Sequence, residues 1–170
     1  MRNKIKEIDG VDITGYNFGI RKEVLVKVAK AKEIKKFMSL VNQKREIFLE
    51  ASLNGQRYPT YRDITPIDSE LRGYRQYWRT LYTNSFDQGL YRSLKTLRWE
   101  VGKCQGQFGV TWKNAHISKG TLFMYVGHDA LENVELMNLE SQELIKIKRG
   151  SASCDAFIRV EEGEQNVEQL

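Results

Sequence analysis

Cysteine is scarce in this chain. Cys104 and Cys154 are the only two, they lie far apart, and neither has a histidine or second cysteine at ligand spacing. That excludes a disulfide framework and leaves no zinc motif to read, so both are taken as reduced thiols. Proline is equally scarce, with two among 170 residues, which together with the ordinary hydrophobic and charged content excludes collagen, a mucin-like stalk and a largely disordered chain. No apolar run approaches the roughly 18 residues of a membrane-spanning helix. The opening stretch MRNKIKEIDGVDITG mixes charged with apolar residues and lacks the apolar centre of a secretory signal. The expectation is a cytoplasmic protein, or one of a virion or host cytoplasm, that does not enter a membrane. A glycine-rich phosphate loop is also missing, since Gly102-Lys103-Cys104-Gln105-Gly106 reads better as the end of an element. No cofactor and no metal are implied.

What the chain does hold is an ordinary globular balance, 41% hydrophobic and 29% charged, enough for a single domain over residues 1–170 with one sizeable core. The net charge of +5 hides a separation. Residues 21–120 carry 20 basic and 9 acidic groups, whereas residues 121–170 carry 4 and 10. A chain so divided offers one basic surface to an anionic partner. The plain alternative is that basic helices lie beside an acidic sheet and are neutralised by it.

Periodicity predicts an α+β fold in which N-terminal and middle amphipathic helices precede an antiparallel β meander or small barrel. Val24, Val26 and Val28 alternate as a short strand would. Ile34, Phe37, Met38, Val41 and Phe48 then mark a helix from about Lys30 to the Asn54-Gly55 turn. A second helix is signalled by Thr65 as N-cap, Pro66 at its first position, and the stripe Ile67, Leu71, Tyr74, Trp78, Leu81. Ser85 and Gln88 stand in capping-box spacing ahead of Leu90, Leu94, Leu97 and Val101, which predicts a third helix closing near Gly102. Past Gly106 the apolar segments shorten, and strands are expected at 108–112, 121–126, 134–139, 144–148 and 154–160. The chain thus divides into a mainly helical basic part (1–106), a β-rich part (107–160) and an acidic tail (161–170).

The candidate binding residues follow from those helices. On the third, about 100° per residue places Arg92, Lys95, Trp99 and Lys103 opposite the leucines, with Arg98 at the edge. Cations beside a ring suit nucleic acid, because Lys and Arg neutralise phosphates while the ring stacks on a base. The competing reading packs Trp99 against the sheet or another subunit. The second helix adds Arg72, Arg75 and Arg79, whose forked guanidinium groups match phosphate or carboxylate. Arg57, Tyr58, Tyr61 and Arg62 in the preceding loop, and Trp112 with Lys113, extend the same surface.

Three functions remain open. The leading expectation is a non-enzymatic, weakly sequence-specific nucleic-acid-binding protein, for RNA or DNA, of the kind phages, plasmids and viruses carry as accessory proteins. The second is a protein–protein or oligomeric module that meets an acidic partner surface or a second copy through Tyr58, Tyr61, Trp99 and Trp112, residue types that dominate interfaces. The third is a small hydrolase or nuclease using His116 and His128, the latter followed by Asp129. Glu100 with Lys103 and Glu143 with Lys146 read as surface ion pairs.

Overall fold

Asp9 and Gly10 both adopt positive φ, 50° and 80°, the type I′ geometry that folds two strands back with the right twist. They join β1 (Glu7–Ile8) to β2 (Val11–Asp12), an antiparallel pair at the start of the chain. The computed structural model describes residues 5–161. Its chain divides into two compact units, Met1–Trp78 and Arg79–Leu170.

In the first unit the hairpin is followed by α1 (Lys22–Val28), α2 (Ala31–Leu53) and most of α3 (Tyr61–Asn84). The segment expected as a strand at 24–28 is therefore helical. Val24, Leu25 and Ala29 are buried while Val26 is 53% exposed, which is a helical spacing that three valines at alternate positions disguise. The helix α2 runs where its apolar period places it. Its first backbone amides are capped: Glu33 Oε1 accepts from the Lys30 N–H at 2.9 Å and Asp9 Oδ2 from the Ala31 N–H at 2.8 Å. The helix α3 starts earlier than Thr65. Thr60 caps it, with Asp63 N bonded to Thr60 O and the Thr60 hydroxyl donating to Asp63 Oδ2. Pro66, expected at the first helical position, is instead the sixth residue of the helix, where its ring removes the N–H that would bond the Arg62 carbonyl.

The two long helices run antiparallel, with Phe37 against Tyr74 and Trp78, and Lys44 paired to Asp68 at 2.7 Å. Phe18, Phe37 and Trp78 are each no more than 2% exposed, and their mutual ring contacts form the centre of this core. The indole N–H of Trp78 donates to Glu33 Oε1 at 3.3 Å, so the one buried donor of the cluster is satisfied. No described helix is long and apolar enough to cross a membrane.

The second unit opens with the last turns of α3 and then a seven-stranded sheet: β3 (Leu90–Ser93), β4 (Leu97–Cys104), β5 (Val110–Ile117), β6 (Leu122–His128), β7 (Val134–Asn138), β8 (Leu144–Ile147) and β9 (Phe157–Arg159). Every pair is antiparallel, in the order β5-β4-β8-β7-β6-β3-β9. The fold class read from the sequence, α+β with helices first and an antiparallel sheet after them, is the one found. The expected third helix is not found. Its residues form β3 and β4, so the helical part ends before Leu90 rather than at 106. The acidic tail, Glu161 apart, lies outside the described residues.

The sheet is open but cannot be flat. β3 and β4 are four positions apart in it and joined only by residues 94–96. Four strand spacings of about 4.8 Å make about 19 Å, and four chain steps reach about 14 Å. The sheet must curl until β3 and β4 approach end to end. The registers agree: β3 pairs with β6 and β4 with β5, and across the corner Ser93 N bonds to Thr121 O while Gly120 N bonds to Ser93 O. One bent two-stranded ribbon thus runs through the corner, and the β6-β7-β8 meander fills the space between its ends. Phe123, Val134, Leu136, Ile145, Ile147 and Phe157 are buried inside the curl.

A candidate nucleic-acid interface on the outer face of the sheet

Once β4 is a strand, its side chains alternate between two faces instead of wrapping around a helix. Leu97, Trp99 and Val101 turn to the inside, whereas Arg98, Glu100 and Gly102 turn outward. The grouping of Arg92, Lys95, Trp99 and Lys103 on one helical face therefore dissolves. Arg92 is half-buried on β3 between Leu122 of β6 and Ile158 of β9, Lys95 is exposed in the corner between β3 and β4, and Lys103 shares the face of Trp99. Trp99 packs edge-on against Phe157, with ring centres 5.6 Å apart, and its indole N–H donates to Lys146 O at 3.3 Å. Packing against the sheet, the competing reading for Trp99, describes its position.

The other anticipated residues are scattered as well. Arg72 and Arg75 lie on α3 in the first unit. Arg72 is exposed, and Arg75 is half-buried with its guanidinium carbon 5.9 Å from the Phe37 ring centre. Arg79 is half-buried in the second unit, its carbonyl facing the Cys154 thiol at 4.0 Å. Lys113 is exposed on the edge strand β5, 3.9 Å from Glu143. Arg98 is exposed on β4, directly opposite His116.

Arg98 belongs to a face that the structure does assemble. Opposite Gly102 in the β4–β5 ladder stands Trp112, 40% exposed. A Cβ built on Gly102 would come within 2.9 Å of the Trp112 ring and 2.6 Å of Val110 Cγ1. Only glycine permits the ring to lie this close over β4, the arrangement by which an aromatic covers a strand glycine. Beside it runs an open groove of about 550 Å³, lined by Glu100, Trp112, Leu131, Asn133, Lys146, Lys148 and Arg149.

The wall of that groove is held firmly. In the β6–β7 turn the Asp129 carboxylate accepts the Leu131 and Asn133 backbone N–H groups at 2.9 Å each and the Asn133 side-chain amide at 3.1 Å. Asn133 Oδ1 in turn accepts the Arg149 backbone N–H at 3.0 Å. This network leaves Leu131 projecting, 77% exposed. Lys146 pairs with Asp129 at 3.0 Å and lies 3.8 Å from Glu135. Hydrogen bonding from Lys146, reinforced by the Asn133 backbone, holds the Asp129 carboxyl down at about 2, and the Lys146 ammonium is raised in return. The ion pair expected between Glu143 and Lys146 is thus replaced by two others. Lys148 and Arg149 are exposed, and among the described residues no carboxylate lies within 4.0 Å of either.

These three cations escape a reading by charge balance because the last fifty residues are acidic overall. A lysine on alternate positions, Lys146 and Lys148, with Arg149 beside it, is the sign the sequence carries.

The histidines do not assemble a catalytic pair. His116 is exposed on β5. His128 engages both ring nitrogens, Nδ1 with the Tyr125 hydroxyl at 2.5 Å and Nε2 with Thr83 O at 2.9 Å. A bulge between Tyr125 and Gly127 brings Tyr125 and His128 to the same side. Burial, aided by Asp87 and Glu132, pushes the Tyr125 hydroxyl above its usual range. Among the described residues no group of three or more histidines, cysteines or acids could hold a metal ion.

No family model matches the chain, and neither the curated proteins nor the solved structures give a match.

Proposed function

We propose that the protein binds single-stranded nucleic acid through the outer face of its sheet, with Trp112 as a stacking platform and Lys148, Arg149 and Arg98 as phosphate contacts. The observation that carries this is a half-exposed indole, seated on a glycine of the next strand, at the rim of a groove where Lys146, Lys148 and Arg149 outnumber the one lining carboxylate, Glu100, and where among the described residues no carboxylate lies within 4.0 Å of Lys148 or Arg149. A ring and cations so placed meet the two demands of a single strand, a π-face for bases and positive charge for the backbone, and neither demand selects a sequence. Lys146 contributes less, because Asp129 and Glu135 already balance it. No enzymatic step and no cofactor enter this reading.

The test is a titration with a fluorescein-labelled oligothymidylate of about 15 nucleotides, within the usual single-fold site size. Three phosphate contacts give a slope of about −2 in log affinity against log salt, or roughly a twentyfold loss between 50 and 200 mM. Trp112→Ala should weaken binding by about tenfold or more, as expected when one base loses its stacking partner. Lys148→Gln with Arg149→Gln should flatten the salt slope by about 1.4. Unchanged affinity in both variants, with unchanged thermal midpoints, would sink the proposal.

A second reading has its own observation. Around the α2–α3 connection Leu49, Leu53, Tyr58 and Tyr61 are 61%, 78%, 65% and 79% exposed. That concentration of apolar surface suits a protein partner. A mass by light scattering that falls with Leu53→Ser and Tyr61→Ser would support an oligomeric contact there.

A further inference from the structure

The first unit carries a cation surface of its own. Between Arg21 and Lys36 there are seven basic residues and two acidic ones. Five of the lysines, Lys27, Lys30, Lys32, Lys35 and Lys36, are exposed. Among the described residues none of the five has a carboxylate within 4.0 Å. The two acids of the segment, Glu23 and Glu33, are half-buried, and Glu33 Oε1 is already engaged by the Lys30 N–H and the Trp78 indole.

Helix stability alone would not select this arrangement. Lys32 and Lys36 stand four apart with like charge, and the cluster occupies the first turns of α2, where the helix dipole disfavours cations. A surface helix built for solubility alternates signs. A local rule broken without a structural return is a sign of function. The helix end itself is not the binding element, since Asp9 already caps the Ala31 N–H.

We infer that the lysine face of α1 and α2 is a contact for the phosphate backbone of duplex nucleic acid. Charge complementarity chooses the occupant. Lys32, Lys35 and Lys36 line an open groove of about 650 Å³ together with Glu33 and Tyr74, three cations to one carboxylate. Farther along α2, Ser39, Asn42 and Gln43 continue the exposed face with neutral hydrogen-bonding groups as far as Glu46, beside the half-buried ring of Tyr16. Lysine ammoniums and small polar side chains are the groups that hold phosphate oxygens without reading bases. The rings nearest the lysines, Tyr16 and Tyr74, are half-buried, so charge rather than a projecting aromatic anchor dominates this face.

This inference rests on the nucleic-acid reading for the class of partner, but on a different surface. The decisive experiment therefore measures the full chain against two probes, a blunt 20-base-pair duplex and a 15-nucleotide oligothymidylate, between 50 and 200 mM salt. The variants are Lys32→Gln/Lys35→Gln/Lys36→Gln and Trp112→Ala. The lysine variant should lower the magnitude of the duplex slope by 2 to 3, about 0.9 for each phosphate no longer neutralised, and leave oligothymidylate binding within twofold. Circular dichroism should show its helix content unchanged. Trp112→Ala should do the converse. A duplex slope unchanged in the lysine variant overturns the inference, whatever Trp112→Ala does. Binding by the lysine variant to polyglutamate or anionic vesicles that is weakened in its place, with no wild-type duplex binding, also overturns it. If instead the lysine variant alone loses affinity and Trp112→Ala loses none, the lysine face stands and the sheet groove falls.

Discussion

Asp129 is a small acidic residue with four jobs: it holds two backbone amides, one side-chain amide and the Lys146 ammonium. Its carboxyl at about 2 lies below the ordinary value near 3.8, so the native state favours its ionised form. The sign follows directly. The stabilising effect is complete above about pH 4, is lost as the pH falls from there through 2, and does not return on the acid side. The raised Lys146 ammonium has the opposite sense, losing its effect only as the pH climbs past the usual lysine range. Unfolding midpoints measured from pH 6 down to 2 should fall more steeply for the wild type than for Asp129→Asn; parallel curves would show that the turn does not depend on this charge. Cys154 makes a simpler case. It is fully buried and its thiol is pushed up to about 12 by burial, so almost none of it is thiolate at neutral pH. In a Cys104→Ser background the native protein should give no fast reaction with a thiol reagent until denaturant is added. At Gly102 the space argument is steric. Gly102→Ala places a methyl against Val110 and Trp112, and should cost about 1 to 3 kcal/mol while weakening oligothymidylate binding, because the ring must lift. Retention of both stability and binding would mean that the indole does not need that seat.

At the scale of elements, β4 decides how the site is understood. If Trp99 is an interior residue of β4, Trp99→Ala should destabilise the chain by about 3 kcal/mol, in line with large aromatic truncations, and Trp99→Phe should restore most of it. Binding measured well below the midpoint should then change little. A selective loss of binding without destabilisation would return the stacking role to Trp99. The sequence period misleads here for a physical reason. Leu90, Leu94, Leu97 and Val101 satisfy a helix, but Leu97, Trp99 and Val101 equally satisfy a strand, and nothing local separates the two. Pairing with β5, β6, β8 and β9 does so, and those partners lie up to about 65 residues away in the chain. The helix α2 is legible because 23 residues of sustained period outweigh any competing pattern. The later strands are legible because turn residues bracket them. The proposed site is legible in kind, basic and aromatic, but not in place. Trp112 stands out with Lys113, whereas its seat on Gly102 is a cross-strand relation that no linear spacing displays.

At the scale of the whole molecule, the boundary between the two compact units does not coincide with the charge boundary near residue 120 that the sequence shows. Residues 1–78 hold 16 basic and 10 acidic groups, and residues 79–170 hold 11 and 12. The surplus of +6 thus belongs to the first unit, and the second is −1. Three of the acids in the second unit, Glu162, Glu164 and Glu168, come from the final residues. Without them the same unit is +2 and the chain +8. Exposed charges act on an approaching polyanion through the field of the whole protein, within a screening length of about 10 Å at 0.1 M salt. Ending the chain at Glu161 should therefore strengthen oligothymidylate binding severalfold at 50 mM salt, mostly through the association rate, and have little effect at 200 mM. An affinity raised equally at both salts, with slower dissociation, would count against a field effect. Stopped-flow rates at the two salts separate these outcomes. A truncated chain with unaltered association at 50 mM would show that the cations of the groove already dominate the local field, and that the overall balance of +5 is irrelevant to recognition.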